Sequence, residues 1–199
     1  MKRFVVVAAL VLLASCNRGD DPTVDTADAS TSSSSSTSSS VAETTSPSTA
    51  FVPGALPAAR PASATRAYLA AVRVAAHDGF DRVVFEFEDA VPGYRVDITT
   101  RPVTEDGSGD AVEVKGEVLY EVRFENAATA RFQGERVVPV YQGERRITTR
   151  GEVVEEAVRT GDFEGVVTWV IGARPRPEGV RVTTLASPFR VVVDLGSPR

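Results

Sequence analysis

From Phe80 to Leu195 the sequence keeps returning to one pattern, apolar and polar residues in alternation. "DRVVFEFE" sends Val83, Phe85 and Phe87 to one side. "YRVDITT" sends Tyr94, Val96 and Ile98 one way and Arg95, Asp97 and Thr99 the other. "YEVRFEN" repeats this with Tyr120, Val122 and Phe124, and "VVTWVIG" with Val167, Trp169 and Ile171. "GVRVTTL" contributes Val180 and Val182, and "FRVVVDLG" closes with Phe189, Val191, Val193 and Leu195. Side chains of a strand point to opposite faces in turn, so a period of two rich in Val and aromatics specifies strands with one buried face. Turn signals separate the runs: Asp78-Gly79, Pro92-Gly93, "EDGSGD" at 105–110, Gly161-Asp162 and "RPRPEG" at 174–179. Strands at this spacing, with no long helices between them, predict an all-β antiparallel fold, a sandwich or a barrel. One stretch dissents. "EVVEEAVRTG" has Val153/Ala157 and Val154/Val158 at i,i+4 spacing ahead of Gly161. A short helix near 152–160 competes there with a strand.

The chain ahead of this region is of another kind. Met1-Lys2-Arg3 is followed by ten apolar residues, Phe4 to Leu13, and then by Leu13-Ala14-Ser15-Cys16. A basic start and a short apolar run have the layout of a secretory signal peptide. A membrane-spanning helix needs about 20 apolar residues, so this run is too short to be a permanent anchor. The tetrad Leu13–Cys16 resembles the lipobox of bacterial lipoproteins, which implies a signal peptide over 1–15, lipid attachment at Cys16 and tethering at the extracytoplasmic face of the cell membrane. Residues 16–66 are dominated by Ser, Thr, Ala and Pro, too poor in apolar mass to order a chain, and read as a disordered linker. Fifty such residues span about 40 Å on average, from about 5–6 Å times the square root of length. The folded domain is expected over 67–199.

Cys16 is the sole cysteine, so the domain can form no intramolecular disulfide and must be held by packing alone. The balance of 22 Lys+Arg against 27 Asp+Glu, without a basic stripe, argues against nucleic-acid binding, which needs clustered cations on phosphates. His77 is the one histidine. Serine-triad chemistry would have to use it, yet no G-x-S-x-G elbow is present. A His-based zinc site needs three or four ligands, so no metal site and no cofactor are expected. "EDGSGD" lacks the residue order of a calcium loop and reads as a solvated hairpin loop. The stretch "HDGFDRVVFEFE" supplies the ligand-binding candidates His77, Asp81 and Arg82. Asp81 and Arg82 sit at the mouth of a strand, where pairing with opposite charges or capping of backbone amides competes with ligand contact. Trp169 alternates with Val167 and Ile171 and so belongs to the core.

Taken together, "HDGFDRVVFEFED", "PGYRVDI", "LYEVRFENA", "DFEGVVTWVIG" and "VRVTTLASPFRVVVDLG" resemble the AMIN-like domain of bacterial, often actinobacterial, lipoproteins. The likeness spans about residues 69–196. It implies a β-sandwich and a role in envelope targeting, including peptidoglycan binding, and carries no catalytic signature. With the sequence closing at Arg199, an amidase-type catalytic domain is not expected. The resulting expectation is a non-catalytic lipoprotein whose domain binds cell-wall glycan; the alternative is one that recruits an envelope protein partner.

Overall fold

The computed structural model describes residues 51–175 and 177–198. The expected signal peptide, the expected lipid attachment at Cys16 and the expected linker up to residue 50 lie outside the described residues. Thirteen strands form: β1 (Ala58–Arg60), β2 (Ala67–His77), β3 (Phe80–Glu88), β4 (Gly93–Thr99), β5 (Val118–Glu125), β6 (Ala127–Ala128), β7 (Ala130–Gln133), β8 (Arg136–Pro139), β9 (Arg146–Thr148), β10 (Val154–Phe163), β11 (Val166–Ala173), β12 (Val180–Ala186) and β13 (Phe189–Gly196). The described residues contain no helix. A six-stranded sheet runs β1-β4-β5-β11-β10-β9, and a five-stranded sheet runs β12-β13-β3-β2-β6. Pairing is antiparallel throughout except between β2 and β6. The fold is therefore the expected all-β, sandwich-like arrangement.

The core lies between the two sheets and uses the residues that the alternation points inward. Val83, Phe85 and Phe87 of β3 and Val191, Val193 and Leu195 of β13 meet Val122 and Phe124 of β5 and Val167, Trp169 and Ile171 of β11. Aromatic edges meet faces at the centre: Phe85 lies 4.9 Å from Phe124 and 5.8 Å from Trp169, and Tyr141 closes on the other side of Trp169 at 5.8 Å. Such T-shaped pairs add to plain area burial because ring edges and faces carry opposite partial charge. Trp169 is fully buried, as its place in the alternation predicts. Ile98 departs from the pattern: it lies two residues past the last β1–β4 pair and is exposed.

The helix expected near 152–160 does not form. That stretch is β10, held between β9 and β11. Its spacing misleads for two reasons. Both faces are covered, so apolar residues need not alternate. Register shifts at Val154/Glu156 and Arg159/Gly161 also break the period of two.

Two further departures shape the surface. Residues 51–66, expected as the end of the linker, belong to the fold. Phe51 is buried, Gly54 donates to the Val180 carbonyl at 2.7 Å, and β1 pairs with β4 at the edge of the other sheet. The segment from Arg101 to Glu117 folds back over the outer face of the six-stranded sheet. Val103 and Val114 pack there on Leu119, Val158 and Val170 as a second, smaller core. Gly172 makes this possible, since a Cβ there would overlap the Lys115 carbonyl oxygen. Gly116, at φ 118°, lies against the Ala173 backbone in a conformation that L side chains avoid. The "EDGSGD" tip is pinned rather than solvated throughout: Asp106 N–H donates to the Thr160 carbonyl and its carboxylate accepts from Thr168 Oγ1 at 2.7 Å. Beside the sandwich, β7 and β8 form a separate two-stranded ribbon on which Phe132 and Val137 are cross-strand partners, 76% and 59% exposed.

Candidate binding face

The candidates His77, Asp81 and Arg82 do not form one site. Strand β3 sends Asp81 and Arg82 to opposite sides, because Asp81 shares the inward face with Val83 while Arg82 points out, and His77 ends β2. Asp81 is buried, and its Oδ2 accepts from the amides of Val153 and Val154 at 2.7 and 2.8 Å. It clips β3 of one sheet to the start of β10 in the other. Gly151 lies directly against this carboxylate, where a Cβ would collide with it. Asp81 therefore satisfies backbone donors inside the fold, the capping role weighed for it from the sequence.

Arg82 and His77 share the outer face of the five-stranded sheet, where register builds an array of charges. Arg82 is directly opposite Asp194, which is in turn opposite Arg181. Arg82 grips the carboxylate with a two-pronged contact, Nε to Oδ1 at 2.6 Å and Nη2 to Oδ2 at 2.9 Å. Arg181 closes on Oδ2 at 2.7 Å from the other side. Asp194 is left 1% exposed beneath the two guanidiniums. Burial alone would raise its carboxyl, but the hydrogen bonds from Arg82 and Arg181 outweigh this and hold it below its ordinary value. The same bond raises Arg82. Farther along the face, Glu86 repeats the arrangement. Its Oε2 accepts from Arg73 at 2.6 Å and from Arg190 at 2.9 Å, and these bonds lower its pKa in that order.

Aromatic rings support one end of the array. The His77 imidazole, exposed, stacks on Phe80 at 4.9 Å and an interplanar angle of 12°. Phe51 lies over Gly196, whose missing side chain leaves it room. Arg181 rests on both rings, 5.2 Å from Phe51 and 5.5 Å from Phe80. At the other end, Arg131 from the ribbon pairs with Glu88 and covers Tyr68 at 4.4 Å. Strand alternation already shows Arg82, Glu86, Arg190, Asp194 and Arg181 as outward polar residues. What the sequence hides is which of them face one another, because Arg82 and Asp194 are 112 residues apart.

The clefts beside the 101–117 segment offer less. One of about 320 Å³ is lined by Arg145, Arg146, Glu105, Glu113 and the apolar Val112 and Val158. Both arginines are already engaged. Arg145 bonds to Glu105 and to the Arg159 carbonyl, and Arg146 to Glu156 and the Glu113 carbonyl. No group of three or more His, Cys, Asp or Glu side chains among the described residues is placed to hold a metal. His77 is not among the residues lining this cleft.

The domain thus pairs one roofed outer face with one open face organised by charge. The model of the AMIN-like domain family matches residues 67–197, and the chain belongs to that family. AMIN-like domains are binding domains rather than catalytic ones and are generally associated with peptidoglycan binding in envelope proteins. Searches of curated proteins and of solved structures gave no significant match.

Proposed function

We propose that this protein is a non-catalytic envelope lipoprotein whose AMIN-like domain binds cell-wall glycan. The observation that carries the reading is the family match over 67–197, which spans nearly the whole described fold. The open outer face of the five-stranded sheet supplies the surface. Cys16 would supply the anchor, its thiol carrying a diacylglyceryl group and becoming the N-terminus after cleavage of residues 1–15. A doubly acylated terminus holds a protein on a bilayer far more firmly than one chain does. Residues 17 to 50 would then set how far the domain reaches toward the wall. The full chain, solubilised in detergent, should co-sediment with purified peptidoglycan; complete recovery in the supernatant refutes wall binding. Cys16→Ser should abolish membrane retention or stop processing, and a variant that stays correctly cut and membrane-bound refutes the anchor.

A second reading is recruitment of an envelope protein. It is favoured by the exposed Phe132/Val137 pair on the ribbon and by β12, an edge strand exposed from Thr183 to Ala186. An exposed edge can accept a strand from another chain. In-cell crosslinking from position 132 or 185 should then trap one reproducible protein partner, and its absence counts against this reading.

A further inference from the structure

We propose that the outer face of the five-stranded sheet is an anion-binding face that takes carboxylate groups repeated along a wall-type polymer, with Arg181, Arg82, Arg190 and Arg73 as the recognising cations. The proposal rests on the wall-binding reading and names the chemistry recognised at that face.

The charge balance comes first. Asp194 holds two arginines, and so does Glu86. Each carboxylate cancels one positive charge, so each group of three keeps one. A chain that needed only to solubilise a sheet face could pair its charges one to one. Within these two groups the surplus is instead cationic, on a protein whose overall balance is acidic.

Geometry then makes that surplus usable. The four guanidinium side chains remain between 28% and 52% exposed, whereas Asp194 is sealed beneath two of them. They are fixed from below by their carboxylates, and Arg181 is also held by the rings of Phe51 and Phe80. A free arginine loses rotamer entropy on being immobilised, and here much of that ordering precedes any ligand. The planar guanidinium fork matches a carboxylate with two parallel N–H···O bonds. Phe51 and Phe80 are themselves buried, so they position Arg181 and leave the exposed His77 ring as the flat surface beside it.

Spacing selects the kind of ligand. Arg190 lies directly across from Glu86, and Asp194 is four residues farther along β13, so the two charged groups are about 13 Å apart at roughly 3.3 Å per residue. A polymer that repeats its carboxylates engages both; a lone carboxylate engages one. At the far end, Glu88 and Asp89 outnumber Arg131 two to one and leave that end acidic, which disfavours a dense polyanion. Peptide stems on a glycan backbone present carboxylates singly and repeatedly, which fits this pattern.

The test uses the full chain in detergent and purified peptidoglycan, either unmodified or with its carboxylates converted to amides by carbodiimide and ammonia. Amidation should weaken binding at least about tenfold, the loss expected when charge-assisted hydrogen bonds are removed. Arg181→Gln combined with Arg190→Gln should weaken binding to unmodified peptidoglycan to a similar degree. Arg123→Gln on the six-stranded sheet should leave it unchanged. Equal binding to amidated and unmodified material overturns the proposal without a variant whose folding could be questioned, and leaves wall binding standing. A double variant that unfolds at the parent's temperature and binds as well as the parent also overturns it. Failure of the parent chain to bind unmodified peptidoglycan overturns both this proposal and the wall-binding reading.

Discussion

The two outer faces of the sandwich are treated in opposite ways. On the six-stranded sheet, the Arg101–Glu117 segment lies over β5, β10 and β11 and seals Leu119, Val158 and Val170 under Val103 and Val114. That cover requires special residues: Gly172 and Gly116 for close backbone approach, and the fully buried Glu156, whose Oε1 accepts from Lys115 N–H at 2.7 Å. On the five-stranded sheet no segment of the described residues crosses the middle, and charges take the place of a roof. Val192 is buried on that outer face, between the rows centred on Asp194 and on Glu86 and Arg190. The contrast teaches that one sheet face can be closed by a covering segment and the other lined by paired charges. The face with an apolar outer layer is closed by its own chain, and the face with an arginine layer is left accessible.

The largest effect should come from breaking the roof. Gly172→Ala forces the Lys115 carbonyl away and should cost about 3 kcal/mol in urea unfolding, an overpacking penalty at the upper end of the usual range. Asp81→Ala, which strands two buried amides between the sheets, should cost about 2 kcal/mol by the same measurement. Phe51→Ala removes the ring under Arg181 and should cost about 1.5–2 kcal/mol from lost burial, with a drop in peptidoglycan affinity that neither core variant shares.

Asp194→Asn tests the open face by pH. The folded carboxyl is lowered from its ordinary value of 3.8, so the charged form is the one the fold favours. Its stabilisation is fully present above that ordinary value and is lost as the pH falls through the lower folded value. Acid unfolding should therefore show the parent more stable than Asp194→Asn at neutral pH, with the two curves converging at the acid end. Parallel curves would mean that Asp194 is not the charged hub. Smallest should be Arg181→Gln, a loss of about 1 kcal/mol in stability, since the buried Asp194 keeps its two-pronged contact with Arg82. Paired with a clear loss of wall affinity, that result would separate a recognition residue from a structural one.

The inward faces of β3, β5, β11 and β13 were legible because one-sided burial leaves a period of two that depends on no partner. Strand β10 was not, since burial on both sides and two bulges erase that period. Residues 51–66 looked like linker because β1 contributes backbone hydrogen bonds at a sheet edge, and Pro, Ala and Arg suffice for that. The site was half legible. Asp81 and Arg82 stood out at the mouth of a strand, as candidates for pairing opposite charges or capping amides, and His77 as the one histidine. The pairing of two arginines per carboxylate depends on cross-strand register, which local pattern does not encode.

The entry of the chain into the domain has a mechanical side. Traction from the N-terminal direction meets three unlike attachments in series: the packing of Phe51 on Phe80 and over Gly196, the single Gly54–Val180 hydrogen bond, and the three residue pairs between β1 and β4. They fasten to different sheets and are met one after another, so all three must give before a pull reaches β2. The clasp works as strain relief, and its first element is the same ring on which Arg181 rests.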